Sequence, residues 1–212
     1  MDTVITLIRH GQSTWNAVGR AQGQAPVPLT EVGRQQARYV AAAMAQDGPV
    51  RAIYSSDLLR CRQTVEPIAG VLGRDVRFDA RLRERDVGAW QGLTWEERRV
   101  FDPENFAAYV QDPIHFAFPG GEDHPTMAAR VLAALAEVLA AHPGEHVLIV
   151  THGGPIRAIL QHYGLAPLSL ETEEAPPLPN ASRTRLCVNA GGRAASLLQV
   201  GDVSYLPPDL VT

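Results

Sequence analysis

The chain has 212 residues, of which 45% are hydrophobic and 20% charged, and it carries a formal net charge of -4. That length supports one sizeable core, or one core with a small insertion, and the composition excludes disordered and fibrous classes. The slight excess of acid gives no pull toward nucleic acid or an anionic membrane, so neither is expected as a partner.

Thr3-Val4-Ile5-Thr6-Leu7-Ile8 is a β-branched, apolar run that predicts a buried strand, cut off abruptly by Arg9-His10-Gly11. Thr30 then predicts the cap of a helix through Val32, Ala37, Val40, Ala41 and Met44, stopped by Gly48-Pro49. Arg51 to Ser55 is a second strand, and Ser56 or Asp57 is expected to cap a helix carrying Leu58, Leu59, Val65 and Ile68. From about 93 to 125 the periodicity fails: Trp95, Phe101, Phe106, Tyr109 and Phe116 stand among charges and prolines, which predicts a cap-like insertion. These aromatics read as a local core before they read as a substrate platform.

Helical spacing returns with Met127, Val131, Leu132, Leu135, Val138 and Leu139, ending at His142-Pro143-Gly144. His146 to Val150 predicts another buried strand, closed by Thr151-His152-Gly153-Gly154, and Ile156, Ile159 and Leu160 continue as a helix. Glu171 to Asn180, rich in proline and acid, predicts a loop; Thr184 to Val188 and Ala195 to Val200 predict a hairpin around Gly191-Gly192. Strands alternating with helices imply an α/β fold, a three-layer α/β/α sandwich on a mostly parallel central sheet. Residues 1–212 are expected to form a single domain.

Cys61 and Cys187 stand far apart, with neither disulfide nor zinc spacing. With no leader and no apolar run of membrane-spanning length, a soluble cytoplasmic protein is expected. All 19 basic residues are Arg. The chain offers no P-loop, no GxGxxG and no two-metal carboxylate cluster, so no cofactor or metal is expected.

Two strand ends look alike. Ile8-Arg9-His10-Gly11 and Val150-Thr151-His152-Gly153 each set an imidazole just beyond a buried strand, where ligands of open parallel sheets bind. Arg9 breaks an apolar boundary, and Arg60 lies on the helix after the second strand; guanidinium groups hold phosphate bidentately. A phosphate bound here would be neutralised by Arg and His alone. His115, His124, His142, His146 and His162 sit outside any such context and are assigned no role.

Leu7-Ile8-Arg9-His10-Gly11-Gln12-Ser13-Thr14-Trp15-Asn16 resembles the signature of the histidine phosphatase superfamily, also called phosphoglycerate-mutase-like. Five further blocks follow in order: Gln22-Gly23 with Pro28 to Gly33, Tyr54 to Thr64, Leu82 to Gly92, Pro119-Gly120-Gly121-Glu122, and Val150 to Gly154. The resemblance covers nearly the whole chain and implies a phosphomonoester hydrolase acting on a small phosphorylated metabolite. By that resemblance His10 is the nucleophile, Arg9, Arg60 and His152 clamp the phosphoryl oxygens, and Asn16 and Gln22 add neutral donors. Glu84 is implied as the acid that protonates the leaving oxygen and the base that then activates water.

The family divides mainly into mutases and phosphatases. The short chain, the lack of Lys and a tail, Gly201 to Tyr205, similar to broad-specificity phosphatases favour hydrolysis. Arg98-Arg99 follows Trp95 too closely to match the mutase Arg pair. Phosphoglycerate-mutase-type transfer and a phosphoprotein phosphatase stay open as alternatives, as does a binding protein that lost turnover. Ala25-Pro26-Val27, Cys61 and Asp123 depart from the family pattern and bear on the substrate.

Overall fold

A computed structural model gives the fold and describes residues 1–166 and 178–212. Six strands form one sheet in the order β3-β2-β4-β1-β5-β6: β1 (Thr3–Arg9), β2 (Ala52–Ser55), β3 (Val76–Phe78), β4 (His146–Thr151), β5 (Arg183–Val188) and β6 (Ala195–Asp202). β1, β4, β2 and β3 pair in parallel, whereas β5 runs antiparallel to both β1 and β6. Five of the six strands therefore share one direction, the mixed but mostly parallel sheet that alternating strands and helices imply.

The central strand β4 is buried along Val147 to Thr151, the continuous burial of a parallel strand covered on both faces. Its side chains alternate between two cores. Val147 and Ile149 join Ile5 and Leu7 against α5 (His124–Ala141) and α6 (Gly153–His162). Leu148 and Val150 join Ile8 and Ile53 against α1 (Glu31–Gln46) and α2 (Leu59–Leu72). Two helix pairs on opposite faces of one sheet give the α/β/α sandwich. The expected loop from Glu171 lies outside the described residues as far as 177.

Thr30 caps α1 as expected, its hydroxyl accepting from Gly33 N at 3.0 Å. The cap of α2 is Leu58, with no side-chain bond, in place of Ser56 or Asp57. Both expected side chains are engaged elsewhere: Asp57 takes Arg83 in a two-pronged ion pair, and Ser56 Oγ bonds His152 Nε2 at 2.8 Å. β3 has no apolar run to announce it, being three half-exposed or exposed residues at the sheet edge.

The 93–125 stretch contains α3 (Trp95–Phe101) and α4 (Pro103–Gln111). Trp90, Phe106, Tyr109 and Phe118 form a separate aromatic core there, with Val87 and Phe116 packed against it. Phe101 takes no part, being 62% exposed.

The His10 loop is pressed onto the first turn of α1 with no room between backbones. A Cβ on Gly33 would meet Gln12 O at 2.1 Å, and one on Gly11 would meet Gly33 O at 2.5 Å. Backbone stands on both sides and cannot yield as a side chain would. Gly33→Ala is expected to cost about 3 kcal/mol or more, read as a lowered urea midpoint. A midpoint within experimental scatter of wild type would contradict this close approach.

Candidate active site

The carboxyl ends of β1 and β4 open into a cavity of about 420 Å³, whose lining includes Arg9, His10, Gln22, Arg60 and Glu84. His10 follows β1 directly and is 2% exposed. Its Nδ1 lies 2.8 Å from Gly11 O. A carbonyl accepts only, so Nδ1 carries the hydrogen and Nε2 keeps its lone pair. The backbone is fixed equally well: His10 N donates to Thr151 O at 2.9 Å, and Ala181 N donates to His10 O at 3.0 Å. Tyr205, in the tail, donates its hydroxyl to Ala181 O and so closes the support behind His10.

Arg60 is fully buried on α2. It donates from Nε to His152 Nδ1 at 3.2 Å, from Nη1 to Ala25 O at 3.2 Å and from Nη2 to Gly23 O at 2.8 Å. A guanidinium has five N–H groups, so one on each terminal nitrogen remains for a bidentate anion. Arg9 donates from Nη1 to Leu178 O, while its buried Nε has no partner among the described residues. An orphaned buried donor in a cavity wall is what an anion would satisfy.

Among the described residues Glu84 is the sole carboxylate in the wall. Oε1 accepts from Arg85 N at 2.9 Å and Oε2 from Gly154 N at 3.3 Å. A side chain at 154 would displace it, because a Cβ there would lie 2.2 Å from Oε1. Arg130 fixes the segment from below, donating to the carbonyls of Arg81, Arg83 and Glu84 while pairing with Glu122.

Gln22 lines the cavity with its Oε1 accepting from Ser13 Oγ at 2.7 Å, which leaves the amide NH₂ as a donor. Asn16 and His152 are not wall residues. Asn16 Oδ1 accepts from Ser13 N at 3.1 Å and from Asn180 Nδ2 at 3.3 Å. His152 lies fully buried behind His10, ring centroids 5.1 Å apart, with Arg60 on one nitrogen and Ser56 on the other. Cys61 Sγ is 3.3 Å from its Nε2, and burial pushes that thiol up to about 12.

Arg85, His124 and Arg157 also stand in the wall, with no role assigned to them from the sequence. His124, assigned no role from sequence, is buried at the start of α5 and bonds Gln161 through Nε2 at 2.9 Å. Arg85 donates to Pro113 O at 3.0 Å and stacks 4.7 Å from the Phe118 ring, so the insertion reaches the site through it. None of Phe101, Phe106, Tyr109 or Phe116 lines the cavity. His142 and His146 serve the scaffold, bonding Tyr54 OH at 3.1 Å and Thr6 Oγ1 at 2.8 Å.

Burial, then the field of Arg60, holds His10 well below the usual histidine range, and burial with Arg60 does the same for His152. His124 and His146 are lowered by burial as well. A histidine held neutral in the fold but free to protonate when unfolded makes the unfolded chain bind more protons below about pH 6.5. Stability therefore falls as pH drops from about 6.5, by up to about 1.4 kcal/mol per pH unit for each such histidine. The lowered carboxylates, such as Asp57 and Glu97, add their losses only nearer their own unfolded values around pH 4. Urea midpoints at pH 7.5 and 5.5 test this; a midpoint higher at pH 5.5 would contradict neutral burial.

Among the described residues no three metal-ligating side chains gather, and no helix is long and apolar enough to cross a membrane. The model of the histidine phosphatase superfamily (branch 1) matches residues 5–201. A metal-independent phosphoserine phosphatase of Arabidopsis thaliana is 42% identical over 159 residues, 74% of this chain and 67% of that protein. A probable phosphoglycerate mutase, GpmB, of Salmonella choleraesuis is 36% identical over 95% of this chain and 94% of its own length. The solved structure of YhfR from Bacillus stearothermophilus superposes with a TM-score of 0.85 at 34% identity, covering 96% of this chain and 98% of that one.

Proposed function

The chain belongs to the histidine phosphatase superfamily (branch 1), and on that premise we propose that it hydrolyses phosphomonoesters through a phosphohistidine at His10. The observation that carries this reading is the His10 ring, neutral and pinned through Nδ1 to Gly11 O, in a wall with Arg9, Arg60 and Glu84. Nε2 attacks phosphorus in line as the ester P–O bond breaks, and Glu84 gives its proton to the departing oxygen. Water then attacks the phosphohistidine, Glu84 takes the water's proton, and the N–P bond breaks to return free His10 and inorganic phosphate.

Arg9 and Arg60 hold the equatorial oxygens while charge redistributes over them. Gln22 adds a neutral donor. His152 orients Arg60, and reaches a phosphoryl oxygen itself only by giving up its bond to Ser56. Asn16 contributes through Ser13 and Asn180, which shape the loop under the nucleophile.

Two observations favour hydrolysis of a small ester over the alternatives. Arg98 lies over the Trp90 and Trp95 rings, outside the cavity wall, so the Arg98-Arg99 pair does not hold a mutase substrate there. A cavity of about 420 Å³ suits a small molecule better than a protein surface. We take the chain as one domain, with about 93–125 as a cap bracing Arg85, and place it in the cytoplasm, in keeping with free Cys61 and Cys187.

The deciding experiment follows p-nitrophenyl phosphate turnover in excess EDTA, with rapid quenching and mass spectrometry of the His10 peptide. Turnover is expected to persist and the phosphoryl group to appear on His10. Activity lost to EDTA, or label on another residue, would overturn the mechanism.

A further inference from the structure

The peptide joining His10 to Gly11 is held at both ends. Its carbonyl accepts from two donors, Ala181 N at 3.0 Å and Asn180 Nδ2 at 3.2 Å. Its N–H donates to Thr64 Oγ1 at 3.0 Å, and that hydroxyl passes its own hydrogen to Arg60 O at 2.7 Å. Asn180 and Thr64 are both buried, so water does not readily replace either side chain. The backbone donor is held in a strained conformation. Ala181 has φ 57°, the one positive value at a non-glycine among the described residues, and it is fully buried. An L-residue persists there only where its surroundings dictate it, and such strain gathers where a reacting group must be placed.

What this grip fixes is the acceptor for the nucleophile. The orientation of a peptide plane sets ψ of the residue before it and φ of the residue after it. Gly11, with no Cβ, would otherwise be free over a wide range of φ, and its carbonyl oxygen would swing with it. That oxygen, 2.8 Å from His10 Nδ1, keeps the hydrogen on this nitrogen. With Gly11 O turned away, the hydrogen of the neutral imidazole can move to Nε2 and take up the lone pair that attacks phosphorus. The Asn180 amide is fixed in turn. Its Nδ2 also donates to Asn16 Oδ1 at 3.3 Å, so turning the amide over would set its oxygen against two other acceptors.

We propose that Asn180 and Thr64 are positioning residues that set the tautomer of His10 by gripping the His10–Gly11 peptide from opposite ends. Neither lines the cavity, so each acts through the nucleophile and not on the substrate. The proposal rests on the phosphohistidine reading of His10.

The test reads the tautomer directly, by nitrogen-15 NMR of histidine-labelled protein, with His10→Ala to assign the signals. Beside it stand kcat and KM for p-nitrophenyl phosphate and the Kd of inorganic phosphate. Wild type is expected to carry the His10 hydrogen on Nδ1. Thr64→Val and Asn180→Ala should each show a share of the Nε2–H form and lose about tenfold or more in kcat, with KM and phosphate Kd within about threefold. Thr64→Ser keeps the hydroxyl and should restore both readouts. Lower activity with an unchanged tautomer would make the two residues merely structural and overturn the proposal. Hydrogen on Nε2 in wild type would overturn it too, and that result needs no variant to fold. Turnover that persists in His10→Ala would instead remove the phosphohistidine reading, and the tautomer shift would still decide the grip.

Discussion

His10→Ala is expected to lower phosphomonoester turnover by roughly 10⁴-fold or more, because a covalent route without its nucleophile has no substitute group in reach. His152 cannot stand in: it holds Arg60 with one nitrogen and Ser56 with the other, fully buried behind the missing ring. Binding of inorganic phosphate should survive, since Arg9 and Arg60 stay in the wall and the Arg60 bonds to Gly23, Ala25 and His152 do not involve His10. A Kd for phosphate within about tenfold of wild type, measured by calorimetry beside the kinetic assay, would separate loss of chemistry from loss of the site. Turnover within tenfold of wild type would sink His10 as the nucleophile.

The part of the site that lies at strand ends was legible because two signals coincide there. A buried strand announces itself by an apolar run, and a charged or titratable residue breaking that run marks the crevice: Arg9-His10 after β1 and His152 after β4 both read this way. Residues on helices carry no such contrast. Arg157 interrupts the apolar side chains of α6 as any surface Arg would, and His124 sits between a capping Asp and a Pro, where a solvated turn is the ordinary reading. Only the tertiary packing of α5 against α6 brings them to the cavity. The misplaced cap of α2 has a similar cause, since Asp57 and Ser56 are drawn away by Arg83 and His152, partners distant in sequence. The aromatics of the insertion divide as burial dictates. Phe106 and Tyr109 find Trp90 and become core, while Phe101 stays exposed.

Arg60→Met should cost roughly 10³-fold in kcat/KM and also change the pH dependence of what remains. Methionine fills much of the same buried volume, so the loss tests the guanidinium more than the packing. Three of its five N–H groups order the Gly23 to Ala25 segment and His152, and the two left over are those we propose to hold phosphate bidentately. Lysine keeps the charge but cannot make those divergent bonds at once, so Arg60→Lys is expected to recover little. The pH signature comes from the neighbour. Burial first, and the positive charge of Arg60 second, keep the His10 imidazole neutral. Removing that charge makes protonation easier, so the His10 pKa rises toward its ordinary value and the acid limb of kcat/KM moves to higher pH. A purely structural Arg60 would lower activity at every pH without moving that limb. An acid limb in the variant that coincides with wild type would mean that Arg60 does not act electrostatically on the nucleophile.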